Sequence, residues 1–97
     1  MKQVKISPGV VLVSVCGEYI LVATREAREK VPYVQQINSA AAFYWEQLQK
    51  GLEPQDIARQ AASKYHMSGR QAAGAVIDCL KKLHQRGYIT IEDVGDV

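Results

Sequence analysis

The sequence predicts an α+β fold in which an N-terminal three-stranded antiparallel sheet is followed by three helices. Three observations carry this expectation. Before residue 38 the apolar residues fall into short β-branched runs bracketed by turn residues. After it they recur at helical spacing, and good helix-start residues open three successive segments.

Val10-Val11-Leu12-Val13-Ser14-Val15 lies between Ser7-Pro8-Gly9 and Cys16-Gly17-Glu18, so it reads as a strand entering a tight hairpin. Tyr19-Ile20-Leu21-Val22-Ala23 is its returning partner. Arg25-Glu26-Ala27-Arg28-Glu29-Lys30 mixes charges without an apolar face and reads as a solvated loop. A third short strand comprises Tyr33, Val34, Gln35, Gln36 and Ile37, just after Pro32. Proline has no N–H to give to a ladder and is tolerated mostly on edges, which makes this strand a candidate free edge.

From Asn38 onward the period lengthens. Ala41, Trp45, Leu48 and Leu52 are spaced i, i+4, i+7, i+11 on one helical stripe, with Asn38 as N-cap and Gly51 as stop. Trp45 on such a stripe reads as core. A second helix carries Pro54 just inside its start, where the missing N–H costs nothing. Its inner face is Ile57, Ala61 and Tyr65, and it ends near Lys64 or Tyr65. Ser68-Gly69-Arg70-Gln71 has the form of a capping box and opens the longest helix, with Ala73, Val76, Leu80 and Leu83 buried and Gly87 as terminator. Tyr88-Ile89-Thr90-Ile91 adds one brief strand before an acidic end.

Composition bounds the class. With 97 residues, 47% apolar and 23% charged, the chain supports one core without a metal or disulfide staple, so residues 1–97 read as a single domain. No apolar run approaches the roughly 18 residues that span a bilayer, and the run from Val10 to Val15 is too short for a signal-peptide core. The expected location is the cytoplasm, where Cys16 and Cys79 stay thiols. A net charge of +2 does not by itself call for an anionic partner.

Catalytic and metal chemistry find little support. Cys79 and His84 are five apart on one helix, about 140° around its axis, and His66 lies in another element, so no metal-ligand face forms. Phosphate-binding glycine loops and nucleophile elbows are absent, and no cofactor is expected. The two helices joined by Tyr65-His66-Met67 do resemble a helix-turn-helix, with Lys64, Arg70 and Gln71 as groove-facing candidates; a winged-helix or helix-turn-helix DNA-binding regulator is therefore the alternative function. Against it, the hairpin precedes the helices and the tail is acidic, which repels phosphates.

Ile37-Asn38-Ser39-Ala40-Ala41-Ala42-Phe43-Tyr44-Trp45-Glu46-Gln47-Leu48, followed by Gly51, resembles the signature of the PqqD-like family. Asp56-Ile57, Tyr65, Val76, Leu80, Leu83 and Gly87-Tyr88-Ile89 continue the match in register, and Ser7-Pro8-Gly9-Val10 is similar to the family's lead into its first strand. Ala75 departs from the pattern, standing where many relatives have an acidic residue. The resemblance implies a sheet packed on a winged-helix-like three-helix bundle. It also implies binding of the leader segment of a ribosomally made precursor peptide, presented to a modifying enzyme that is often a radical SAM protein. Neither catalysis, nucleic acid nor membrane belongs to that expectation.

In the family the leader adds a strand to the third strand and lies against the third helix, which agrees with the edge read from Pro32. The expected peptide-binding residues are Tyr33, Val34, Gln35 and Gln36 on the strand, with Arg70, Gly74, Ile77 and Lys81 on the helix. Those four share a helical face distinct from the buried stripe. Gly74 costs about 1 kcal/mol relative to alanine in mid-helix and leaves room for another backbone.

Overall fold

The computed structural model describes residues 2–24 and 34–93. Tyr33, the charged run from Arg25 to Lys30 and the last residues of the acidic tail lie outside the described residues. In chain order the elements are β1 (Lys2–Ile6), β2 (Val10–Val15), β3 (Glu18–Ala23), β4 (Val34–Ile37), α1 (Ser39–Gln49), α2 (Pro54–Lys64), α3 (Gly69–Gln85) and β5 (Ile89–Asp93). Three helices follow the antiparallel sheet β2-β3-β4, as expected.

The expectation of one sheet needs correction. The charged N-terminus is itself a strand, β1, and it pairs antiparallel with β5 in a second, two-stranded sheet, from Lys2 opposite Asp93 to Ile6 opposite Ile89. Val4 and Ile6 pack against the core while Lys5 reaches Glu92 at 3.7 Å, so the alternation apolar-in, charged-out was present but short. The strand after α3 therefore runs back to the N-terminus.

Local chemistry explains each boundary. Cys16 and Gly17 both have positive φ, 51° and 77°, between the paired residues Val15 and Glu18; this is the two-residue hairpin whose twist matches the flanking strands. The Asn38 side chain accepts from the Ala41 amide at 2.8 Å and starts α1. Ser68 and Gln71 complete a reciprocal capping box at α3.

All three helices stop alike. After α1, Gly51 is left-handed and the Leu52 amide reaches back to the Gln47 carbonyl at 3.1 Å. After α3, Gly87 is left-handed and Tyr88 reaches Leu83 at 3.0 Å. After α2, His66 takes the left-handed position at φ 53° and Met67 reaches Ala62 at 3.0 Å. Each is the six-to-one bond that satisfies an orphan carbonyl at a helix end.

The core gathers the inner face of the sheet and the three helices. Trp45, Tyr88, Leu21, Ile57, Ile89 and Val76 are its largest fully buried side chains, each worth about 1.5–3 kcal/mol or more of transfer energy. Trp45 is thus core, as its stripe indicated. On α3 the buried residues are Ala72, Val76, Leu80 and Leu83, with Ala73 only partly covered.

Candidate functional site

β4 pairs with β3 on one side, and among the described residues no strand pairs with its other side. The ladder parity says which groups that open edge presents. In a two-residue hairpin the residues flanking the turn exchange both hydrogen bonds, so Glu18, Ile20 and Val22 bond toward β2. The Thr24 amide continues the series by donating to the Gly9 carbonyl at 2.7 Å. Tyr19 and Leu21 must then bond toward their β4 partners Ile37 and Gln35. Val34 and Gln36 are left with N–H and C=O directed at the open edge.

Side chains divide by the same alternation. Gln35 and Ile37 lie on the helix side, whereas Val34, 52% exposed, and Gln36 lie on the outer face. A cleft of about 390 Å³ opens between β4, the start of α1 and one flank of α3. Ile37, Ala40, Ala41, Tyr44, Cys79 and Leu83 make its apolar floor. Gln35, Gln36, Asp78, Lys82 and Arg86 make its polar rim.

Burial pushes the Cys79 thiol up from its ordinary value, with Lys82 opposing, and burial also raises the Tyr44 phenol, helped by Cys79 and Tyr65. Both groups are neutral at physiological pH, so the floor is uncharged and the charge sits on the rim. Such a site can pair a peptide backbone along the strand and hold apolar side chains beneath it. No group of three metal-ligating side chains assembles among the described residues, and no helix is long and apolar enough to cross a membrane.

Of the residues expected from sequence, Gln35 and Gln36 line the cleft and Val34 lies on its strand. Arg70, Gly74, Ile77 and Lys81 do not line it. They sit on average roughly 130° around α3 from Ala75, Asp78, Cys79, Lys82 and Arg86, which line it together with the buried Leu83. Ile77 instead borders a separate groove of about 430 Å³ with Pro54, Ala58 and Val76 of α2 and α3. A Cβ on Gly74 would meet nothing within 4 Å. The α3 residues that line the cleft also carry a signal, an i, i+3, i+4, i+7, i+11 stripe beside the buried one, but sequence periodicity shows two such flanks and marks neither as the one against β4.

A larger cleft, about 870 Å³, runs along β1 against the corner between α1 and α2. Its strand wall, Gln3 to Ile6, belongs to the N-terminal strand of the second sheet.

A family model for coenzyme PQQ synthesis protein D (PqqD) matches residues 18–89, well over half of the chain. The chain belongs to the PqqD family. The matched span includes the whole β4–α3 cleft and excludes β1, so within this PqqD-family domain the family relationship bears on the former. Two solved structures share the fold. One, described as lasso peptide synthetase B1 complexed with the leader peptide, has a TM-score of 0.75 and 19% identity, covering 91% of this chain and 98% of that one. The other, TbiB1 in complex with the TbiA(beta) leader peptide, has a TM-score of 0.73 and 20% identity, covering 95% and 99% respectively. No curated protein matches the chain in sequence.

Proposed function

We propose that this PqqD-family domain binds the leader segment of a ribosomally synthesised precursor peptide as an added strand on β4 and presents it to a modifying enzyme. The carrying observation is the open β4 edge, with Val34 and Gln36 directing backbone groups outward beside an apolar-floored cleft. Backbone pairing supplies affinity tolerant of sequence; alternate ligand side chains, facing the cleft between Gln35 and Cys79, supply selectivity. Membership of the PqqD family and the similarity in fold to two proteins solved with leader peptides support the same function. The domain itself does no chemistry, and the partner is an enzyme acting on the presented peptide, of which a radical SAM protein is one type.

The test is calorimetric titration of the domain with leader segments of precursor peptides encoded beside its gene, coupled to amide exchange. A bound leader slows exchange at Val34 and Gln36, whose amides gain partners, more than at β2. Micromolar or tighter binding that leaves the β4 amides unprotected refutes strand addition at this edge.

A further inference from the structure

The open edge of β4 is already partly occupied. The Gln36 carbonyl, one of the outward acceptors, accepts a hydrogen bond at 2.9 Å from Nε2 of the adjacent Gln35 side chain. The Oε1 atom of the same amide accepts from Nη1 of Arg86, the residue that caps the C-terminus of α3. One glutamine side chain therefore links the strand edge to the helix end, covering the acceptor that an incoming strand needs.

Arg86 is poorly matched by this partner. A guanidinium meets a carboxylate in a two-bonded fork and gains a charge-assisted bond, whereas an amide oxygen offers neither the charge nor the second oxygen. Lys82 lies one turn earlier on the same flank, and neither cation makes an ion pair among the described residues. Among the described residues the only carboxylate on the cleft rim, Asp78, is a further turn away. Along this flank the charge runs from negative at Asp78 to positive at Lys82 and Arg86.

We propose that Gln35 and Arg86 form a cap on the β4 edge, and that the cognate peptide carries an acidic side chain which releases it. The carboxylate takes the Arg86 guanidinium, with Lys82 beside it. Gln35 then loses its anchor and swings off the Gln36 carbonyl, which accepts the peptide's backbone N–H. Side-chain recognition and strand addition are thus coupled, and the charge gradient places the acidic residue at the Arg86 end of the cleft. A strand lacking that residue must displace the cap unaided. The inference rests on β4 being the peptide-binding edge.

The experiment pans a phage-displayed library of random dodecapeptides on the folded domain and tests synthetic copies of the selected peptides, each with its Asp or Glu exchanged for Asn or Gln. Acidic residues should be enriched at one position. The exchange should weaken binding about tenfold against the unaltered domain and less than twofold against Arg86→Gln, since charge-assisted bonds are worth roughly twice neutral ones. Gln35→Ala should bind the neutral peptides about threefold tighter, because the competing bond is gone. Circular dichroism melts establish that both variants are folded. Peptides that protect the β4 amides yet show no acidic preference, or keep their carboxylate effect in Arg86→Gln, overturn the cap and leave strand addition standing. Selected peptides that leave the β4 amides unprotected overturn both.

Discussion

Ser7 Oγ donates a hydrogen bond of 2.6 Å to the carbonyl of Gly87, joining positions 80 apart in sequence. The Ser7 amide donates in parallel to the Tyr88 carbonyl at 2.9 Å. These bonds fasten the corner between β1 and β2 to the end of α3, and so set where β5 begins alongside β1. Ser7→Ala removes the first bond only. It should cost about 1 kcal/mol, read as a lower urea midpoint at unchanged slope, and should speed amide exchange in β1 and β5 before any other element. Uniform acceleration across the helices would contradict a local clamp.

The left-handed residues at the helix ends separate by chemistry. His66 holds at φ 53° a conformation that glycine adopts freely, so His66→Gly should raise stability by up to about 1 kcal/mol. Gly51→Ala, at φ 88°, should lower it by about 1 kcal/mol although a Cβ there meets no neighbour within 4 Å. Thermal melts of the two variants should shift in opposite directions.

Alkaline pH should unfold the domain earlier than its net charge suggests. Burial raises Cys79 above 9.0 and Tyr44, Tyr65 and Tyr88 above 10.0, the values these groups have when unperturbed. Above pH 9 the unfolded chain has begun to release these protons while the native chain still holds them. The unfolded state then binds fewer protons, and stability falls as pH rises. It is fully present below pH 9 and lost as pH climbs through the raised values. Urea midpoints between pH 8 and 11 should decline, with Cys79→Ala abolishing the earliest part of that decline.

Gly74 and Gln36 offer opposed tests of where peptide binds. Gly74 lies mid-helix, away from the cleft and with open space around its missing Cβ, so Gly74→Ala should stabilise by about 0.5–1 kcal/mol and leave peptide affinity within twofold. Gln36→Pro deletes an edge N–H that the β3 ladder does not use. It should weaken binding at least tenfold while far-ultraviolet circular dichroism is retained. The reverse pattern would move the site to the Gly74, Ile77 and Lys81 face.

Features that depend on neighbours within a turn or two of the chain are legible from the residues alone. Asn38, Ser68 with Gln71, Gly51 and Gly87 mark helix ends because caps are made by residues three to six apart. Cys16-Gly17 marks the hairpin for the same reason, and the 3.6 period places Trp45, Ile57, Val76 and Leu80 in the core.

Features that depend on long-range packing are not legible in this way. β1 was hidden because a five-residue strand beginning Lys-Gln has little local preference, and its partner β5 lies at the other end of the chain. The flank of α3 that borders the β4 cleft was hidden for a different reason. Periodicity divides a helix into a buried stripe and two flanks, but the direction in which the sheet docks chooses between them. Leu21, Trp45 and Tyr88, brought together from distant parts of the sequence, belong to the core on which the sheet and helices dock. Docking placed Asp78, Lys82 and Arg86 beside Gln35 and left Arg70, Gly74, Ile77 and Lys81 on the far side.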